Sequence, residues 1–131
     1  MVVYFWLGLG GALGTIARYW LNGIISRHFD TFPMGTLVIN VTGSFLIAFF
    51  ATLTSPDGRF MVSPVARTFF MTGICGGYTT FSSFSLQTLE LAREGEWLYA
   101  GLNACLSMAL CLVAAWLGLV LAQTVNPMKG R

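Results

Sequence analysis

Thr72-Gly73-Ile74-Cys75-Gly76-Gly77-Tyr78-Thr79-Thr80-Phe81-Ser82-Ser83-Phe84-Ser85 is the stretch that decides how this chain is read. It sets a glycine pair and six Ser and Thr hydroxyls inside an apolar run, roughly 64–90, that is long enough to cross a bilayer. Glycine loosens a helix by about 1 kcal/mol relative to alanine. Backbone released from helical bonding at membrane depth persists only where protein buries it or a water-filled cavity solvates it. The pattern predicts a third helix broken at Gly76-Gly77. Beyond that point Phe81 and Phe84 share one face, Thr80 and Ser83 share another, and Ser82 and Ser85 stand beside them.

Outward from this segment, the 131 residues are 56% hydrophobic and 9% charged, with a mean hydropathy of +0.73. A soluble domain carries about a quarter of its residues as Asp, Glu, Lys and Arg, so the composition is that of an all-α membrane protein. Four stretches reach the roughly 20 residues a span needs, at about 2–24, 34–54, 64–90 and 97–123. Too little chain lies outside them for a soluble catalytic domain or a nucleic-acid-binding arm. Met1-Val2-Val3-Tyr4-Phe5-Trp6 lacks the basic start of a secretory signal, which makes the first stretch a retained helix. Cys75, Cys105 and Cys111 lie in apolar spans without a C-x-x-C pair and read as packing residues.

Each remaining span carries polar residues that an apolar helix would lack. Span 1 has Gly10-x-x-x-Gly14, a spacing that brings helices close. Its Arg18 either snorkels to the headgroups or faces a polar interior and attracts anions. In span 2, Asn40, Gly43 and Ser44 share a face, so the amide points at protein or a cavity, as interhelical glue or as a donor. Span 3 opens on Ser63-Pro64, a serine cap followed by proline at the first helical position. Asn103 and Ser107 fall on one face of span 4. His28 has no Cys, His or carboxylate cluster near it and reads as a solvated loop residue.

The spans offer no Ser-His or Cys-His pair, no His and no paired carboxylates, so they lack the groups an enzyme needs. The only acidic residue in a span is Glu90, at one end, which argues against proton-coupled transport. The interior polar set is amide, hydroxyls, freed backbone N–H groups and one arginine, all suited to a small anion. Phe81 and Phe84 read either as core packing, with the neighbouring hydroxyls bonding back to their own turn, or, since aromatic ring edges are electropositive, as rings that face an anion. Carbonyls released by a helix break can also coordinate a small cation.

On Gly35-Thr36-Leu37-Val38-Ile39-Asn40, on residues 72 to 85, and on Gly11-x-x-Gly14 with Arg18, the chain resembles the CrcB/Fluc family of fluoride channels nearly end to end. The resemblance implies an antiparallel, dual-topology homodimer of four-span subunits in the inner membrane that passively exports fluoride. It implies that Phe81 and Phe84 are pore phenylalanines, that Asn40 donates to fluoride, and that Ser82, Ser83 and Ser107 line a hydroxyl track. Arg18 matches the arginine near the vestibule. The backbone carbonyls of Gly76 and Thr79, doubled by the partner, would hold a structural sodium ion. Cys111 stands where some members have serine. A small multidrug-type exporter fits poorly because that family places a glutamate in the first span, and a purely structural subunit would use the same small residues without conducting. The basic residues show only a weak bias across the membrane. Arg59, Arg67, Lys129 and Arg131 lie on one side and Arg27 and Arg93 on the other, with Arg18 deeper, which predicts insertion in both orientations.

Overall fold

The computed structural model describes residues 1–56, 58 and 60–126, and these residues form helices and loops with no strand among them. Arg59, Lys129 and Arg131, part of the topology reading above, lie outside the described residues. The order is α1 (Val2–Ser26), α2 (Met34–Leu53), α3 (Pro64–Thr68), a π-helical segment (Phe69–Cys75), α4 (Gly76–Tyr78), α5 (Phe81–Arg93) and α6 (Trp97–Val125).

α2 and α6 are long and apolar enough to cross a membrane, with mean hydropathies of 1.9 and 2.4. At 1.5 Å per residue the 29 residues of α6 run about 43 Å, more than the hydrocarbon core. α1 has 25 residues, enough in length, but its glycines and Arg18 dilute its apolar character. Large apolar side chains stand exposed along these helices, among them Ile16 at 66%, Leu112 at 65% and Trp116 at 61%. Such surface calls for lipid or another protein chain around it.

Local chemistry sets the helix ends. Ser63 accepts from the Ala66 N–H at 3.2 Å and Pro64 occupies the first position of α3, as the sequence predicts. Arg67 reaches across to the other end of this hairpin. Its guanidinium donates to Ala51 O at 3.3 Å, to Thr54 Oγ1 at 2.6 Å and to Thr54 O. A cation thus sits on the unpaired carbonyls and negative dipole end of α2.

Small residues bring the backbones together. α2 packs chiefly on α6, where a Cβ on Gly118 would stand 2.5 Å from Phe45 O and 3.0 Å from Phe49 N. α1 packs on the π-helical segment and α4. There a Cβ on Gly10 would stand 2.7 Å from Phe69 O, and one on Gly77 would stand 3.0 Å from Gly11 Cα. The α1 glycines therefore serve close helix approach.

One expectation is corrected. The chain does not leave helical geometry at Gly76-Gly77: Gly76 has φ −65° and ψ −36°, and both glycines lie within α4. The extended residues are Thr79 (φ −82°, ψ 157°) and Thr80 (φ −153°, ψ 108°). Gly77 is small because Gly11 lies against it. The extended pair is stabilised by side chains that replace helical hydrogen bonds there.

Candidate functional site

Thr79 and Thr80 form an interruption around which two cavities are arranged. Asn40 of α2 holds it. The Asn40 Nδ2 donates to Thr80 O at 3.0 Å, and the Thr80 N–H donates to Asn40 Oδ1 at 2.8 Å. One amide thus stands in for both a helical donor and a helical acceptor. The Thr80 hydroxyl caps α5, accepting from the Ser83 N–H at 3.2 Å while donating to Ser83 Oγ at 2.9 Å. Thr79 Oγ1 turns back to Cys75 O at 2.9 Å, and the Thr79 methyl group lies against Gly43, where a Cβ would collide with it.

These substitutions release particular carbonyls. In an uninterrupted α-helix Gly76 O would accept from Thr80 N–H and Thr79 O from Ser83 N–H. Asn40 takes the first donor and the Thr80 side chain takes the second. The two carbonyls nominated by the family resemblance are therefore among those at the interruption whose helical donors are drawn elsewhere.

The first cavity, about 310 Å³, lies between α2, α5, α6 and the interruption, and is lined by Asn40, Gly76, Thr79, Thr80, Phe81, Phe84, Ser107 and Cys111 among others. The rings of Phe81 and Phe84 are 5.3 Å apart at 53°, so neither stacks flat on the other. Phe81 is 72% exposed in the single chain, an unusual position for a core phenylalanine. The second cavity, about 230 Å³, is lined by Thr15, Arg18, Asn22, Thr36, Thr80, Ser83 and Gln87 among others. Arg18 is half-buried, and no acidic residue lines that cavity. The guanidinium therefore gives it a positive potential without a local counter-charge.

Of the sequence-predicted residues, the structure gathers Asn40, Phe81, Phe84, Ser107, Gly76 and Thr79 at the first cavity and Arg18 and Ser83 at the second. Ser82 lines neither, and its hydroxyl lies 3.3 Å from Thr80 Oγ1. Thr80 borders both cavities, yet the sequence reading gave it no role beyond sharing a face with Ser83. Its signal was available as a β-branched residue three before Ser83, in the position of a helix cap. Gln87 was also passed over: it lines the second cavity, and its Oε1 is buried without a hydrogen-bond partner.

Counting protons identifies which groups can donate to an anion. Ser44 gives its proton to Asn40 O at 2.7 Å and Ser85 gives its own to Phe81 O at 2.9 Å. Ser107 is held only loosely, by Asn103 Oδ1 at 3.5 Å. Asn103 is 1% exposed and directs one amide N–H to Thr88 Oγ1 at 2.8 Å. Ser83 accepts from Thr80 and keeps its own proton for the second cavity, and Asn40 keeps a second amide N–H. The donors thus include Arg18 and Ser83 at one cavity and Asn40 and Ser107 at the other, with Thr80 bordering both.

An all-helical chain with membrane-length apolar helices, an asparagine-held interruption and donor-lined cavities defines a class of membrane protein built around a polar interior. Residues 5–119 match the family described as CrcB-like protein, Camphor Resistance (CrcB), and the chain belongs to that family. It is 59% identical over 127 residues to a protein of Paramagnetospirillum magneticum named fluoride-specific ion channel FluC, covering 96% of this chain and 99% of the relative. Proteins of the same name from Opitutus terrae and Methylocella silvestris are 56% identical over 131 residues and 55% over 128. Those two alignments cover 99% and 97% of this chain, and 99% and 98% of the relatives.

Proposed function

We propose that this chain is a fluoride-selective channel of the inner membrane, multi-pass, that lets fluoride leave the cell down its gradient. The observation that carries the reading is the Asn40-held interruption, which puts the Phe81 and Phe84 rings and the Ser107 hydroxyl on one cavity and backs it with an Arg18 cavity across Thr80. Kinship to relatives named for fluoride supports the choice of ion.

In this reading Arg18 raises the local anion concentration and the Ser83 hydroxyl replaces part of the hydration shell. The ion passes Thr80 and reaches the ring edges of Phe81 and Phe84, whose positive rims attract an anion weakly enough to let it go. Fluoride is compact and a strong acceptor, so a path of few, close donors between rigid rings suits it better than chloride.

The working unit is an antiparallel, dual-topology homodimer with a broken third helix in each subunit. The exposed apolar surface of the single chain and the weak bias of its basic residues support that arrangement. A structural sodium ion would be held by the carbonyls of Gly76 and Thr79, which fit the role because their helical donors are committed to Asn40 and Thr80. When bound, the ion would supply positive charge that ties the two interruptions together.

The test is efflux from liposomes containing the purified protein, read with a fluoride electrode and with a chloride electrode as control. Rapid fluoride loss with chloride retained is the expected result. Equal loss of both ions, or of neither, refutes the reading.

A further inference from the structure

We infer that the Tyr78 phenol is a positioning group for the interruption, anchored on Thr42, so that α2 grips the chain on both sides of Thr79. The Tyr78 Oη lies 2.9 Å from Thr42 Oγ1. Thr42 directs its single proton to its own turn, at 2.8 Å from Val38 O and 3.1 Å from Ile39 O. The phenol is therefore the donor and the threonine oxygen the acceptor.

Two observations give this bond more than a packing role. First, α4 consists of Gly76, Gly77 and Tyr78, so Tyr78 carries the only side chain by which that segment can be held. α4 continues the helical run from Pro64 without a break, so Tyr78 is the last helical residue before the interruption. Second, the bonds run in antiparallel register: Asn40 holds Thr80 and, two residues on, Thr42 holds Tyr78. Gly43 sits beside this pair, where a Cβ would collide with the Thr79 methyl and stand 3.2 Å from Tyr78 Cδ1. Thr79 is thus clamped from both flanks, and its carbonyl direction follows from the clamp.

The effect on flux rests on the channel reading above, whereas the effect on the backbone does not, so the experiment reads both. Tyr78→Phe keeps the ring and removes the donor, Thr42→Val keeps the shape and removes the acceptor, and Thr42→Ser restores an acceptor. Exchange of the Thr80 amide hydrogen, which the Asn40 Oδ1 protects, is measured in detergent alongside liposome fluoride efflux. One hydrogen bond corresponds to about a 3- to 10-fold change, so each of the first two variants should exchange faster and conduct less by about that factor. Tyr78→Phe with Thr42→Val together should do no more than either alone, because both remove the same bond, and Thr42→Ser should match the unmodified chain. Unchanged Thr80 exchange in Tyr78→Phe, or effects that multiply in the double variant, overturns the clamp. An unmodified chain that passes no fluoride would instead overturn the channel reading, with the exchange rates still deciding this one.

Discussion

Replacing Asn40 distinguishes a residue that meets the ion from one that shapes the site. Asn40→Ala deletes the acceptor for Thr80 N–H and the donor to Thr80 O, bonds of 2.8 and 3.0 Å. Thr80 is 9% exposed, so its backbone cannot turn freely to solvent. Each orphaned buried group costs about 1–3 kcal/mol, which sets an upper range of about 2–6 kcal/mol for the two. Both bonds border cavities where water can replace part of what is lost, so the expected destabilisation is about 2–3 kcal/mol. Unfolding by detergent titration in mixed micelles measures it, and fluoride efflux is followed on the same preparations. Asn40→Asp keeps an acceptor for Thr80 N–H, but sets a carboxylate oxygen against Thr80 O and adds negative charge beside the cavity. If charge repulsion of the anion were the whole effect, the neutral alanine variant would conduct. Positioning requires that both variants stop conducting. An Asn40→Ala protein that unfolds with the unmodified chain and conducts normally would refute the account.

Phe81→Ile and Phe84→Ile keep apolar volume but lose the electropositive ring edge, so fluoride efflux should fall sharply while the protein still elutes as the unmodified chain does in size-exclusion chromatography. Gly10→Ala places a methyl group 2.7 Å from Phe69 O and should destabilise by about 1–3 kcal/mol. Gly8→Ala meets nothing within 4 Å in the chain and should be neutral or slightly stabilising in detergent unfolding. Cysteines introduced at the exposed Met61 and Glu94, in a background lacking Cys75, Cys105 and Cys111, should each react only partly with an impermeant thiol reagent on intact cells. Complete labelling at one site with none at the other would exclude dual topology. Replacing sodium by a large organic cation during purification should lower the protein's stability to detergent unfolding if the Gly76 and Thr79 carbonyls hold a cation, and unchanged stability would count against that site.

The run of about 20 apolar residues per helical pass is a local property, because backbone hydrogen bonds within a bilayer must be satisfied inside each segment. The sequence therefore determined the four helical stretches close to their observed limits, the Ser63-Pro64 start and the shared face of Phe81 and Phe84. The glycines misled about the interruption because flexibility only permits a departure from helix. At Gly76-Gly77 the neighbouring α1 backbone uses the missing side chains for close packing instead. The departure occurs at Thr79-Thr80, where a side chain forty positions away replaces the lost hydrogen bonds. No local pattern encodes that partnership. Only the tertiary structure could bring Asn40 to Thr80, set Arg18 and Ser83 on a second cavity and leave Thr80 between the two. The decisive energies there are long-range hydrogen bonds, whose donors and acceptors are legible in the chain but whose pairing exists only once the helices have packed.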